Sequence, residues 1–165
     1  ARHHIQALAD DLKKLKELAD NNQPLPDGLD LKNRCIYYVG PVDSVGNEVV
    51  GPAGPTTSSR MDKYSSLMLE DYEIIGMIGK AERGKEALES IKKNKAIYLI
   101  AVGGSAYLIS QAIKSSKLIA FPELGMEAIY EFEVKDMPVT LAVNTEGDSL
   151  HEEGVKKWSK LIKKD

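Results

Sequence analysis

The sequence predicts an α/β domain built around a substantially parallel sheet, and three observations carry that expectation. From Ile74 onward, β-branched and aromatic runs alternate with amphipathic segments, the pattern of strand-helix-strand units that lie parallel in one sheet. A segment punctuated by Gly and Pro, Gly40 to Pro55, and paired strand-like runs near Val134 and Val139 call for some antiparallel sheet as well. The length of 165 residues, with 42% hydrophobic and 28% charged, is enough for one core and ordinary for a globular domain. One domain over residues 1–165 is therefore expected.

Taken in order, Ile5, Leu8, Leu12, Leu15 and Leu18/Ala19 recur at helical spacing, with Lys13, Lys14, Lys16 and Glu17 on the other face. This predicts a core-facing amphipathic helix from Ile5 to Ala19, so that the chain opens directly into a helix. Asn21-Asn22, Pro24 and Pro26 stop it, and a linker runs to Asp30. Cys35 to Val39 reads as a buried strand, and Glu48-Val49-Val50 as the one short strand inside the Gly/Pro segment. A helix is predicted over Arg60 to Leu69, with Ser59 and Asp62 at capping-box spacing. Strands follow at Ile74 to Ile78, Ala96 to Val102, Lys117 to Phe121 and Val139 to Val143. Helices fall at Lys85 to Lys93, with Glu89 and Lys93 paired at i,i+4, and at Ser105 to Lys114, capped by Ser105. Gly125 to Val134 reads as a helical turn and then a strand. The last helix, Glu152 to Lys163, is capped by Ser149 and expected to bury Val155, Trp158, Leu161 and Ile162.

Composition narrows the function classes. No run of about 18 apolar residues is present, so no membrane-spanning helix is expected. The 22 basic and 25 acidic residues give −3 and a pI near 5.7, which leaves no basic footprint for nucleic acid. Cys35 alone provides neither an internal disulfide nor a thiolate cluster, and agrees with a reducing, cytoplasmic setting. The histidines, His3, His4 and His151, are too few and too dispersed for a metal site. Redox or Lewis-acid chemistry would have to come from another chain. Ala1-Arg2-His3-His4 carries no initiator Met and no signal-peptide core, which suggests missing upstream residues.

The most unusual run is Gly54-Pro55-Thr56-Thr57-Ser58-Ser59-Arg60-Met61-Asp62. Four hydroxyl residues at a helix entrance stand beside unsatisfied N–H groups, and Arg60 adds a bidentate donor fork, which together describe a carboxylate or phosphate receptor. Helix capping with a solvated Arg60 accounts for the same run. Lys80, in Ile78-Gly79-Lys80, follows a predicted strand, where ligands of α/β sheets gather. It is no nucleotide P-loop, because Ala81 stands where the hydroxyl residue is required and Ile74 where the first glycine is required. Gly103-Gly104-Ser105 lacks dinucleotide spacing and reads as a tight turn, and Cys35 reads as a small buried hydrophobe. Physical reading stops at a soluble α/β domain with an anion site expected around Thr56, Arg60 and Lys80.

Tyr37-Tyr38-Val39-Gly40-Pro41, Gly51-Pro52-Ala53 and the Gly54 to Asp62 run resemble the carboxyl-terminal domain of class I fumarate hydratases, also found as the β subunit of L(+)-tartrate dehydratase. Gly76-Met77-Ile78-Gly79-Lys80, Ala101 to Ala106 and Glu123 to Ile129 extend the resemblance over nearly the whole chain. It implies a three-layer swivelling β/β/α domain with a central, mostly parallel sheet and a second antiparallel sheet. It also implies reversible hydration of a dicarboxylate, with a 4Fe-4S cluster held by the cysteines of a cluster-bearing α subunit or N-terminal domain and not by this chain. Position by position, Thr56 corresponds to the proposed proton-abstracting base, and Arg60 and Lys80 to substrate-carboxylate ligands. Arg2 is the third implied cation, although His3 follows it where the family carries Asp. Fixed cations suit a dianion and suit the more charged transition state better still. A threonine hydroxyl ionises far above neutral pH, so Thr56 as base needs positive surroundings or a partner carboxylate. The expectation is a hetero-oligomeric hydro-lyase component acting on fumarate, inactive alone. Its alternatives are a tartrate dehydratase β subunit and a non-catalytic dicarboxylate-binding or assembly module.

Overall fold

The computed structural model describes residues 2–7 and 9–162, with the side chains of residues 2–4, 6 and 162 outside the description. Seven strands form one hydrogen-bonded ladder in the order β5-β6-β1-β2-β3-β4-β7. They are β1 (Arg2–Gln6), β2 (Cys35–Tyr37), β3 (Gly76–Gly79), β4 (Ile97–Ile100), β5 (Ile113–Ala120), β6 (Ile129–Val134) and β7 (Thr140–Val143). Strands β1 to β4 run parallel and make the centre. The antiparallel pair β5–β6 is the second piece of sheet that the family resemblance implies, joined to the centre through β1–β6. The runs near Val134 and Val139, expected to pair with each other, lie in β6 and β7 on opposite sides of the parallel strands. Strand β7 closes the other edge, antiparallel to β4.

The two faces of the centre are covered differently, because alternate side chains of each strand point to opposite faces. Ile36, Tyr38, Met77 and Tyr98 pack under α1 (Ala9–Asp20), α2 (Lys85–Lys93) and the helical segment after Thr57. Tyr37, Ile78 and Val39 pack on the other side with Val50, Ala53 and Ile109 of α3 (Ala106–Ala112). The result is a sheet between a helical layer and a layer made of the Gly/Pro segment and α3.

Several expectations need correction. The chain does not open into a helix: Ile5 lies in β1, buried at 2% exposure, and α1 starts at Ala9. Ladders on both sides, to β2 and β6, outweigh the helical spacing that links Ile5 to Leu12, and such pairing is invisible locally. Leu12 and Leu15 are core residues as expected, whereas Leu8 lies outside the described residues. The segment predicted as a helix over Arg60 to Leu69 is a 3-10 turn, Ser58–Tyr64, running into a π turn, Leu67–Asp71. Its capping box does not form, because Asp62 is taken by Arg83 and the Gly84 amide. Ser105 does not cap either: its hydroxyl donates to the Val102 carbonyl, and the helix ends at Ala112 where β5 begins.

Glu48-Val49-Val50 is no strand, and Cys35 is half-buried instead of buried. Lys93 reaches Glu70 at 2.6 Å, across to the π turn, and not Glu89. The largest disagreement is α4 (Leu150–Ile162). Its apolar stripe faces outward, with Val155 67%, Trp158 56% and Leu161 58% exposed, while the Ile162 side chain lies outside the described residues. The helix follows the edge strand β7, and among the described residues nothing covers the stripe.

Candidate functional site

The hydroxyl-rich run is held against the carboxyl ends of β2 and β3 by its own backbone. The Thr56 amide donates to the Tyr38 carbonyl at 2.8 Å, the Lys80 amide to the Thr56 carbonyl at 3.1 Å, and the Ser58 amide to the Lys80 carbonyl at 3.0 Å. Thr57 and Lys80 thus form a parallel bridge that extends β3 by one step. The approach to this lock is also fixed. Tyr37 Oη donates to the Ala53 carbonyl at 2.7 Å, the Ala53 amide donates to the Ala106 carbonyl, and Val39 bridges Pro55. Two Gly-Pro steps, Gly51-Pro52 and Gly54-Pro55, fix φ at their prolines in this segment.

Thr56 and Lys80 are therefore neighbours by backbone geometry, and both are half-buried. The Lys80 side chain passes over the β4–α3 turn, where a Cβ on Gly103 would lie 3.7 Å from its Cδ. Arg60 sits four residues beyond Thr56, exposed, within the 3-10 turn. Neither Arg60 nor Lys80 makes an ion pair among the described residues. Lys80 therefore offers an unpaired cation next to a half-buried threonine, with a second, exposed cation, Arg60, four residues further along the chain.

The helix entrance contributes less than the sequence suggests. The Ser58 amide is already used by Lys80, and the Ser58 hydroxyl is buried against Tyr98 at 2.9 Å, away from solvent. Arg2 is not brought to this group. Its side chain lies outside the described residues, and its backbone pairs with Val134 at the amino end of β1. The register His4↔Cys35↔Gly76 puts Lys80 at the opposite end of the parallel strands, six residues or about 20 Å along them.

Sequence reading missed the floor of the site. Arg83, 5% exposed, donates from Nε to Asp62 at 2.5 Å and from Nη2 to Ser65 at 2.9 Å. Its guanidinium lies 5.0 Å from the Tyr98 ring centroid and 5.8 Å from that of Tyr38. Burial pushes the Tyr98 phenol up from its ordinary value, with the Ser58 hydroxyl and the Arg83 charge acting the other way. Burial likewise raises Tyr38, with Arg83 opposing. Only the charge of Arg83, unusual in the interior without a partner, could have signalled this pair.

A family model described as fumarase C-terminus matches residues 8–154. This chain belongs to the fumarase C-terminus family. It is 37% identical over 139 residues to fumarate hydratase 2 of Leishmania major, covering 84% of this chain and 24% of that protein. It is 37% identical over 145 residues to the anaerobic class I fumarate hydratase of Escherichia coli K12, covering 87% and 26% respectively. The putative L(+)-tartrate dehydratase subunit β of Methanocaldococcus jannaschii is 35% identical over 149 residues, covering 87% of this chain and 75% of that subunit. The chain thus spans about a quarter of the fumarate hydratases it matches and three quarters of the tartrate dehydratase subunit.

The residues present do not fit an iron–sulfur cluster. Cys35 is the one cysteine of the chain, and a Cβ on Gly76 of the neighbouring strand would lie 2.9 Å from its Sγ, so it sits packed within the sheet. Among the described residues, no three His, Cys, Asp or Glu side chains converge on a metal position. No helix among them is long and apolar enough to cross a membrane.

Proposed function

We propose that this chain is the β-type component of an iron–sulfur hydro-lyase that interconverts fumarate and L-malate, working with a cluster-bearing partner subunit or domain in the cytoplasm. The observation that carries the reading is the backbone lock holding Thr56 beside Lys80 at the carboxyl ends of β2 and β3. Family membership supplies the reaction class.

In this reading Lys80 and Arg60 bind the substrate carboxylates, Thr56 takes the C3 proton of malate in the dehydration direction, and the C3 electron pair forms the C2=C3 double bond as hydroxide leaves C2. Charge that builds on the carboxylate as C3 loses its proton is met by the same two cations, so they contribute more in the transition state than in the ground state. The cations also favour the ionised threonine, and a partner carboxylate shares the proton. Ligands for the cluster come from the partner, since the sequence holds a single cysteine.

The test is anaerobic reconstitution with the cluster-bearing partner, following loss of fumarate absorbance, with Thr56→Ala in parallel. Activity in the mixture alone, abolished in Thr56→Ala while the complex still assembles, is the expected result. The coverage of the tartrate dehydratase subunit favours one second reading, so L(+)-tartrate is the next substrate. An assembled complex that converts neither substrate would overturn the enzymatic reading in favour of a dicarboxylate-binding module.

A further inference from the structure

We infer that Tyr98 is a positioning residue that aims Lys80, holding it through the carbonyl of Ala81 and the hydroxyl of Ser58; the inference rests on the reading of Thr56 and Lys80 as the substrate site. Tyr98 Oη lies 2.9 Å from the Ala81 carbonyl and 2.9 Å from Ser58 Oγ. A phenol has one proton and a carbonyl can only accept, so Tyr98 donates to Ala81 and receives the Ser58 proton. Both partners flank Lys80. Ala81 follows it in the chain, and the Ser58 amide already binds its carbonyl.

Ala81 adds a second observation. Its φ is 65°, the left-handed region that alanine seldom adopts, so the turn that carries Lys80 out of β3 is strained. Such strain persists where surrounding contacts over-determine it. Here those contacts are the Tyr98 phenol at position 81 and, two residues later, the buried Arg83 bound to Asp62, Ser65 and Met77. Arg83 also lies under the Tyr98 ring and fixes its plane. Asp62 returns to the loop through the Gly84 amide at 2.7 Å. The lysine is thus clamped on both sides of its Cα while its side chain stays free to meet an anion.

Tyr98→Phe removes one oxygen and keeps the ring, the core packing and the contact with Arg83. Two readouts decide, both on the full chain assembled with its cluster-bearing partner. The first is amide hydrogen exchange: the amides of Ser58 and Lys80 should exchange about tenfold faster in Tyr98→Phe, while those of Ile36 and Met77 in the same sheet stay unchanged. The second is the split of kinetic constants: kcat should fall about tenfold or more, with a smaller change in KM, because misaim costs more in the transition state. Unchanged exchange at both amides, or faster exchange spread evenly over the sheet, would overturn the proposal. So would an unchanged kcat in an assembly whose unsubstituted form is active. An unsubstituted assembly that turns over neither fumarate nor tartrate would overturn the functional reading instead, and exchange alone would then judge the clamp.

Discussion

Ser58 and Gly79 occupy each other's space: a Cβ built on Gly79 would stand 1.8 Å from Ser58 Oγ. The last residue of β3 must be glycine because the hydroxyl of the neighbouring run is buried directly over it, hydrogen-bonded to Tyr98. The two segments that carry Thr56 and Lys80 approach this closely because position 79 has no side chain to meet that of Ser58.

Gly79→Ala should therefore destabilise the chain by about 3 kcal/mol, the upper range for overpacking. Adding Ser58→Ala removes the clashing oxygen and leaves Ser58 Cβ at 3.2 Å, a gap that small shifts can absorb. Denaturant unfolding of both single variants and the double variant should show the pair less destabilised than the sum by at least about 1 kcal/mol. Simple additivity would mean that the hydroxyl can swing away.

Arg60 and Lys80 should separate from Thr56 kinetically. Arg60→Lys keeps the charge but loses the planar fork, so KM for the dicarboxylate should rise about tenfold or more with a smaller effect on kcat. Thr56→Ala should lower kcat by about a thousandfold with KM little changed, as for a group that acts on the proton and not on the bound carboxylates. Steady-state kinetics on the reconstituted enzyme checks both, and a KM effect alone for Thr56→Ala would remove it from proton transfer.

The pair beneath the site should be costly to break on one side. The Arg83 side chain is fully buried and that of Asp62 is 15% exposed. Removing the carboxylate charge with Asp62→Asn leaves a buried guanidinium without a counter-charge, and about 3–5 kcal/mol should be lost. Combining Asp62→Asn with Arg83→Met removes both charges and should recover a large part of that loss. Thermal unfolding of the three variants gives the comparison, and a double variant as unstable as the sum would argue against pairing.

Three phenols should govern the alkaline limit of stability. Tyr37, Tyr38 and Tyr98 are fully buried, and burial is the leading cause that raises each above the ordinary value of 10.0. Above that value the unfolded chain releases protons that the folded chain retains. This contribution to stability is thus complete below about pH 10 and is lost as pH rises through the folded values. Ionisation of these three phenols, followed by phenolate absorbance, should come late and together with loss of the fold. Complete phenolate absorbance with the fold still intact would contradict the burial.

Much of the fold and part of the site were legible in the sequence. Lys85–Lys93 was predicted to the residue, because its pattern is local and strongly amphipathic. Thr56, Arg60 and Lys80 stood out because hydroxyls and cations clustered at strand-to-helix turns are locally recognisable. What the sequence hid was non-local. Ile5 became a strand residue only because β2 and β6 flank it, and Asp62 abandoned its cap for Arg83, twenty-one residues away. Tyr98 carries no local mark at all, since its role depends on Ser58, forty residues earlier.

Helix α4 shows the opposite failure, where a clear local pattern led to the wrong environment. An apolar stripe implies something to bury against, yet Val155, Trp158 and Leu161 lie open beside the edge strand β7. Trp158 is the chain's sole tryptophan, so its fluorescence reports on this face alone. Emission from the isolated chain should match that of solvated indole and be strongly quenched by acrylamide. Trp158→Ser should change unfolding stability by less than about 0.5 kcal/mol, the range of exposed surface positions, instead of the 3 kcal/mol or more that a buried tryptophan would forfeit. Blue-shifted, protected emission together with a large stability loss would show that the stripe is buried after all.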